Sequence, residues 1–200
     1  MLLDSEKLCA LVSSRICHDI INPLGAIGNG LELLALGGNF SGPEMNLIDA
    51  SQKNAEARIK FLRHAFGDSG GDVTINGAEV ERTAVNYCAA QNITVRWQVS
   101  ADLPRSEVKR LYLAIMCMAH ALAFGGDMEI SQSGGGWKIT GTSERRRNDT
   151  EIWAAMLKND LSGVEMDSAT IQFALLSLEL AKAGKIPCLH DGETSIALGF

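Results

Sequence analysis

His18 is the residue whose position in this chain most suggests chemistry. It lies in a segment with the sequence Cys-His-Asp-Ile-Ile-Asn-Pro-Leu, residues 17–24. If this segment is helical, at about 100° per residue, His18 points about 180° away from the midpoint of Ile16 and Ile20. A histidine opposite an apolar seam is not a core residue, and a neutral imidazole nitrogen is a good nucleophile at cellular pH, since its ordinary pKa is about 6.5. The alternative is a solvated surface histidine with no role.

Pro23 bears on whether that helix continues past the histidine. A proline inside a helix costs about 3 kcal/mol, because it removes one hydrogen bond and clashes with the preceding turn. The apolar pattern nevertheless continues in phase from Ile20 through Leu24 to Ile27. We therefore expect one helix that is kinked at Pro23. The alternative is that Asn22 and Pro23 mark a turn between two shorter helices.

Two long apolar seams predict an antiparallel helical hairpin. The first covers residues 5–36, with an apolar residue every three or four positions, and ends at Gly37 and Gly38. A second helix is expected to begin at Ser41 and Glu44, which have the spacing of a capping box. Because a hairpin of this length leaves much of each seam exposed, we expect two copies to associate as an intermolecular four-helix bundle. The alternative is that the hairpin packs against the second half of its own chain.

The pattern changes after the polar, glycine-rich segment 67–72, which predicts a boundary between a helical domain, 1–68, and a second domain, 73–200. Short alternating segments typical of strands are mixed there with helical segments. This mixture predicts an α/β sandwich with helices on one face of a sheet, so that the whole chain is α+β. The expected helices are 77–90, 107–124, 149–158 and 169–183, and the expected strands are 72–75, 93–99, 128–132, 137–142, 186–189 and 194–198.

The sequence His18-Asp19-x-x-Asn22-Pro23-Leu24 resembles the H-box of histidine-kinase dimerisation and phosphotransfer domains. In layout the chain is similar to the dimeric histidine phosphotransferases of alphaproteobacterial cell-cycle signalling. The resemblance implies that His18 accepts a phosphoryl group from the receiver domain of a hybrid histidine kinase and passes it to receiver-domain aspartates of response regulators. It also implies that Asp19 orients or polarises the imidazole, and that Asn22 lies near the phosphoryl group or its attacker.

The helical wheel also predicts which residues surround His18. Transfer of a phosphoryl group needs in-line positioning and charge neutralisation more than covalent help from nearby residues. Residues close to His18 on the wheel are therefore expected to form the surface on which partner receivers dock. They are Ser14, Arg15 and Gly25, with Ile21 at the edge. Arg15 either assists the phosphoryl charge or is an ordinary surface arginine.

The second half resembles the ATP-binding domain of histidine kinases but lacks the residues that a nucleotide site would need. Segment 107–124 contains no asparagine, and Met118 stands at the position where the kinase pattern has one. No Asp-x-Gly-x-Gly sequence occurs, and glycines 134–136 fit a hairpin turn better than a phosphate cradle. We therefore expect a degenerate domain with no cofactor and no metal, magnesium being supplied by the partner receiver. The alternatives are a divergent ATP-dependent kinase and a non-catalytic dimeric adaptor that binds receivers.

Composition narrows the class of protein further. A net charge of −6 argues against a nucleic-acid partner. The five cysteines form no CxxC pair, which favours reduced thiols, and neither a signal peptide nor a run of about 18 apolar residues is found. We therefore expect a cytoplasmic protein without a membrane partner.

The remaining histidines and an arginine run are not expected to be functional. His64, His120 and His190 have no acid or cysteine at ligand spacing and are expected to be structural. Arginines 145–147 are expected to lie in a solvated loop.

Overall fold

The computed structural model describes residues 5–37, 43–68 and 73–200, except for the side chains of residues 35–37, 43, 44 and 133. The first two helices form the expected hairpin, α1 (Ser5–Gly37) and α2 (Pro43–Phe66). Helix α1 runs through Pro23 without a break, which confirms a single helix and excludes a turn at that point. The expected helix stop at Gly38 and the capping box of Ser41 and Glu44 lie outside the described residues and side chains.

The second half is a mixture of helices and short strands, as the sequence predicts. The helices are α3 (Gly77–Ala89), α4 (Arg105–Ala121), α5 (Thr150–Leu157) and α6 (Ile171–Lys182). The strands are β1 (Thr74–Ile75), β2 (Ile93–Trp97), β3 (Leu103–Pro104), β4 (Gly126–Ser133), β5 (Gly136–Thr142), β6 (Cys188–Asp191) and β7 (Ser195–Gly199).

Strand β3 is the element that sequence analysis missed. It is two residues long and includes a proline, so neither an alternating pattern nor strand propensity identifies it. It exists because it pairs antiparallel with β1, with Ile75 opposite Leu103.

Five strands form a mixed sheet in the order β2-β4-β5-β7-β6. Strand β2 is parallel to β4, and the other neighbours are antiparallel. Gly134 and Gly135 lie in the turn between β4 and β5 with φ of 59° and 78°, values that favour glycine. The expectation of a hairpin turn at these glycines is therefore confirmed.

Helix α4 forms the centre of the second half. Its residues 111–119 are all buried, and Tyr112 donates its hydroxyl to the carbonyl of Val80 at 2.9 Å. Met118 packs closely on the sheet, since a Cβ added to Gly141 of β5 would lie 3.0 Å from the Met118 Cε atom. The apolar content of α4 is thus explained by its position between the sheet and α6.

The carboxyl-terminal end of α2 belongs to this same core. Phe61 is fully buried, and its ring stacks between those of Tyr87 of α3 and Tyr112 of α4, at centroid distances of 3.7 and 4.2 Å. The hairpin therefore does pack against its own second half at this end. Leu24 and Leu31 of α1, by contrast, remain about half exposed, at 53% and 55%.

Candidate active site

His18 lies on the solvent face of α1, as the helical wheel predicts, with 69% of its side chain exposed. Pro23, on the same helix, is buried, so the two residues face different surroundings. The exposed imidazole is accessible to a macromolecular partner as well as to small molecules.

Asp19 is buried beside His18 and contacts its ring. The Asp19 side chain is only 4% exposed, and its Oδ1 atom lies 3.3 Å from the His18 Nδ1 atom. A carboxylate accepts hydrogen bonds and cannot donate them, so Nδ1 carries the proton in this contact. The lone pair of the neutral ring is then on Nε2, the nitrogen not engaged by Asp19.

Two arginines surround the Asp19 carboxylate. Arg15, one turn earlier on α1, donates from Nε to Asp19 Oδ2 at 3.0 Å, and the Nη1 atom of Arg58 on α2 lies 3.8 Å from Oδ1. Their side chains are 16% and 15% exposed. Burial alone lowers the pKa of Arg15, but the neighbouring Tyr87 and Asp19 more than offset this and raise it above its ordinary value. Both positive charges therefore stabilise a negative charge on Asp19.

Four of the other residues expected around His18 are exposed. Ser14, Ile21, Asn22 and Gly25 are exposed on α1, and Ile21 is 62% exposed. Their contact with a partner, and the role expected of Asn22, remain predictions.

Arg15 differs from these four residues because its side chain is largely covered. It turns toward the second half, where Nη1 donates to the carbonyl of Ala169 at 3.2 Å. A helical wheel treats the helix as isolated and cannot include this neighbour. The position of Arg15 favours a role in holding Asp19 over direct contact with a partner.

Arg58 is the site residue that sequence analysis missed. It lies in α2, forty residues from His18, and its Nε atom donates to Asn54 Oδ1 at 2.9 Å. In the sequence of an amphipathic helix, an arginine next to the apolar seam is typical of the solvent-exposed polar face. Only the antiparallel pairing of α1 and α2 brings it to Asp19.

Met118 stands where the kinase pattern has a metal-binding asparagine. Met118 is fully buried. The part of the chain that the structure describes contains no group of three or more histidine, cysteine, aspartate or glutamate residues able to hold a metal ion. Within that part, too, no helix has the length and apolar character needed to cross a membrane.

His120, which is expected to be structural, has an acidic partner that its sequence spacing does not indicate. Its Nε2 atom lies 2.6 Å from Oδ2 of Asp149, a residue 29 positions later that spacing rules do not associate with it. Its ring also meets Phe173 edge-on at 5.5 Å. Burial lowers the pKa of His120, and the hydrogen bond to Asp149 opposes this only partly.

Arg146 corrects the expectation that the arginines of residues 145–147 are all solvated. Its side chain is 11% exposed and lies 2.9 Å from Asp191 Oδ1. It also donates to the carbonyl of Gly192. Arg146 therefore holds the β6–β7 turn against the loop after β5.

An exposed histidine on a helical hairpin, with a carboxylate beside it and an α/β domain attached, is the arrangement that the resemblance to histidine phosphotransfer proteins predicts. The chain belongs to the histidine phosphotransferase family. Residues 77–194 match the family described as the histidine phosphotransferase C-terminal domain. This confirms the relationship that the H-box and the layout of the two halves predict.

Two relatives illustrate the match. The chain is 39% identical over 134 residues to the protein phosphotransferase ChpT of Brucella abortus (strain 2308), which covers 66% of this chain and 64% of that protein. The matched part therefore spans slightly less than two thirds of the curated relative. A bacterial phosphotransferase of known structure is similar over 100% of this chain and 98% of its own, with a TM-score of 0.81 and 29% identity.

Proposed function

We propose that this chain is a histidine phosphotransferase of a multistep phosphorelay, with His18 as the phosphoryl carrier. The observation that carries the proposal is the exposed His18 ring, whose Nδ1 atom is held by the buried Asp19 at 3.3 Å. This contact leaves Nε2 free to act as the nucleophile. Membership of the histidine phosphotransferase family supports the same activity.

The covalent bond changes involve only His18 and the aspartates of the two receivers. The Nε2 lone pair attacks the phosphorus of a receiver's aspartyl phosphate, a P–N bond forms, and the P–O bond breaks as the carboxylate leaves with its electron pair. In the second transfer an oxygen of another receiver's aspartate attacks the phosphorus, and the electron pair of the P–N bond returns to Nε2. Positioning and charge stabilisation supply most of the catalysis in such transfers.

The proposed partners are the receiver domain of a hybrid histidine kinase as donor and receiver domains of response regulators as acceptors. The exposed residues Ser14, Ile21, Asn22 and Gly25 lie around His18 on α1 and are available to them. A Cβ atom added at Gly25 would meet nothing within 4 Å, so a partner has room to approach there. Magnesium for the transfer belongs to the receiver's acidic pocket, and Asn22 contacts the phosphoryl group or the attacking carboxylate.

The phosphoryl group comes from another protein and not from ATP. At the position expected for a metal-binding asparagine, Met118 is a fully buried thioether side chain packed on the sheet. The glycines at 134 and 135 make the β4–β5 turn. Neither group is placed to hold a magnesium-nucleotide complex.

The protein acts as a homodimer through the helical hairpin. Leu24 and Leu31 of α1 and Ile59 of α2 are about half exposed in a single chain. A row of exposed apolar residues along a long hairpin favours burial against a second copy in a four-helix bundle.

The experiment that tests the function is transfer from a receiver domain carrying labelled aspartyl phosphate. We expect the wild-type protein to take up label and pass it to a second receiver, and the His18→Ala variant to take up none. His190→Ala is the matched control, because His190 is an exposed histidine on β6, far from the hairpin in sequence, and should transfer as wild type does.

Two outcomes would contradict the proposal. If the wild-type protein and His18→Ala both leave the receiver's phosphate untouched, the protein is an adaptor that binds receivers without transferring phosphate. If purified protein incubated with labelled ATP alone becomes labelled on His18, it is a kinase and not an intermediate.

A further inference from the structure

The Asp19 carboxylate is held on two sides by arginines from different helices, Arg15 of α1 and Arg58 of α2. We propose that Arg15 and Arg58 are positioning residues that keep the Asp19 carboxylate in contact with Nδ1 of His18. The second half contributes to this positioning because its Ala169 carbonyl accepts a hydrogen bond from Arg15. This inference rests on the proposed phosphotransfer by His18. It adds the residues that hold the His18 ring with its proton on Nδ1.

The two carboxylate oxygens of Asp19 have different partners. Oδ2 accepts from Arg15 at 3.0 Å, whereas Oδ1 faces both the His18 ring at 3.3 Å and Arg58 at 3.8 Å. Because Arg15 occupies Oδ2, the plane of the carboxylate is fixed and Oδ1 is directed at His18. A buried carboxylate without these positive charges would be costly and would seek other donors.

Arg15 in turn depends on the second half of the chain. Its Nη1 atom donates to the Ala169 carbonyl at 3.2 Å, and the same carbonyl accepts from Nε2 of the buried Gln172 at 2.7 Å. The loop that presents Ala169 is closed by Thr170, whose hydroxyl lies 2.7 Å from Asp167 Oδ1. Arg15 thus bridges Asp19 and Ala169 with two different nitrogens.

Arg58 makes a contact of another kind. Its Nη1 atom is 3.8 Å from Asp19, beyond ordinary hydrogen-bond length, so it acts on Asp19 mainly through its charge. Its own position is set by the hydrogen bond from Nε to Asn54 at 2.9 Å. The two arginines therefore have separable roles, one geometric and one electrostatic.

The consequence for transfer follows from the charge on the ring. As Nε2 forms its bond to phosphorus, positive charge develops on the imidazole while the proton stays on Nδ1. Asp19 stabilises this charge and keeps the nucleophilic lone pair on Nε2 only while its carboxylate remains on Nδ1. Loss of either arginine is expected to weaken that contact.

The test uses phosphoramidate, a small phosphoryl donor that needs no docking surface. His18 Nε2 attacks its phosphorus, and ammonia leaves with the electron pair of the broken P–N bond. We expect Arg15→Ala and Arg58→Ala to lower the rate of His18 phosphorylation by about tenfold to a hundredfold, since a misplacement of about 1 Å can cost a hundredfold. Arg96→Ala is the matched control, because Arg96 is an exposed arginine of β2 paired with Glu129.

A second measurement does not depend on activity. Nitrogen-15 NMR of the His18 ring in the full chain should show the proton on Nδ1 in the wild-type protein and in Arg96→Ala, and a larger share on Nε2 in both test variants. Lysine variants separate the two roles. Arg15→Lys should behave as Arg15→Ala does, because one Nζ atom cannot bridge Asp19 and Ala169, whereas Arg58→Lys should restore most of the rate.

If Arg15→Ala and Arg58→Ala retain both the wild-type rate and the wild-type ring spectrum, the positioning role is wrong. If Arg15→Ala fails to fold, Arg15→Lys preserves the buried charge and gives the same decision for Arg15. If Arg58→Ala fails to fold, Arg58→Gln, which keeps a polar side chain but removes the charge, replaces it in both measurements. Failure of the proposed function looks different. In that case wild-type His18 reacts with phosphoramidate but exchanges no phosphate with receivers, and the ring spectra still report on the two arginines.

Discussion

Replacing Phe61 by alanine tests whether the helical hairpin and the second half fold as one unit. Phe61 is fully buried, and its ring lies between Tyr87 and Tyr112 at centroid distances of 3.7 and 4.2 Å. Removing a buried phenylalanine ring costs about 3–5 kcal/mol of unfolding free energy, and loss of two ring contacts favours the upper part of that range. For a chain of this length the melting temperature should fall by about 6–20 °C.

The assay is urea unfolding at one fixed protein concentration, because association would make stability concentration-dependent. All three tryptophans, Trp97, Trp137 and Trp153, are in the second half, so their fluorescence reports on that half. Circular dichroism reports on all helices, including the long hairpin. Coincident transitions by both probes are expected, since Phe61 joins the two halves in one core.

Lys60→Ala is the control on the same helix. Lys60 is 62% exposed and 3.9 Å from Glu56, so its loss should cost less than about 0.5 kcal/mol. The reasoning would be refuted if Phe61→Ala lowered the free energy of unfolding by less than about 1 kcal/mol. It would also be refuted if the two probes gave separate transitions and the substitution shifted only the one seen by circular dichroism.

Two further predictions concern assembly and pH. Leu31→Glu should convert a dimer to a monomer in light scattering. Leu33→Glu should not, because Leu33 lies about 200° away around α1, although it is similarly exposed. A dimer in both variants would contradict the proposed interface. Burial lowers the pKa of His64 and His120 below the ordinary 6.5, so the unfolded chain binds more protons as the pH falls through that value. The unfolding free energy should therefore decrease between about pH 7.5 and 5.5, and less so when both residues are replaced by glutamine. An equal decrease in that double variant would show that other groups are responsible.

The fold was largely predictable because its helices carry strong apolar patterns. Segment 107–124 predicts a buried helix, and α4 is indeed the buried centre of the second half. Strand β3 was not predictable, since its two residues are ordered only by pairing with β1. Sequence patterns identify elements that bury a face, and they miss those defined by a partner distant in the chain.

The same distinction explains what was predictable at the site. His18 and Asp19 are neighbours in a recognisable segment, and their contact follows from the helix itself. Arg58 reaches Asp19 only through the antiparallel approach of α2, and the carbonyl of Ala169 reaches Arg15 only through the packing of α6 near α1. Local sequence therefore indicated His18 as the candidate, while the groups around the Asp19 carboxylate required the tertiary structure.

These contacts also give the second half a structural role that needs no nucleotide. Phe61 and Ala169 connect the second half to the hairpin at two places, one in the core and one near His18. Under the proposed function, a hairpin alone would present His18 but leave Arg15 without its second partner and Phe61 without its two aromatic neighbours. The second half is then required for the precise position of Asp19, a role that does not depend on nucleotide binding.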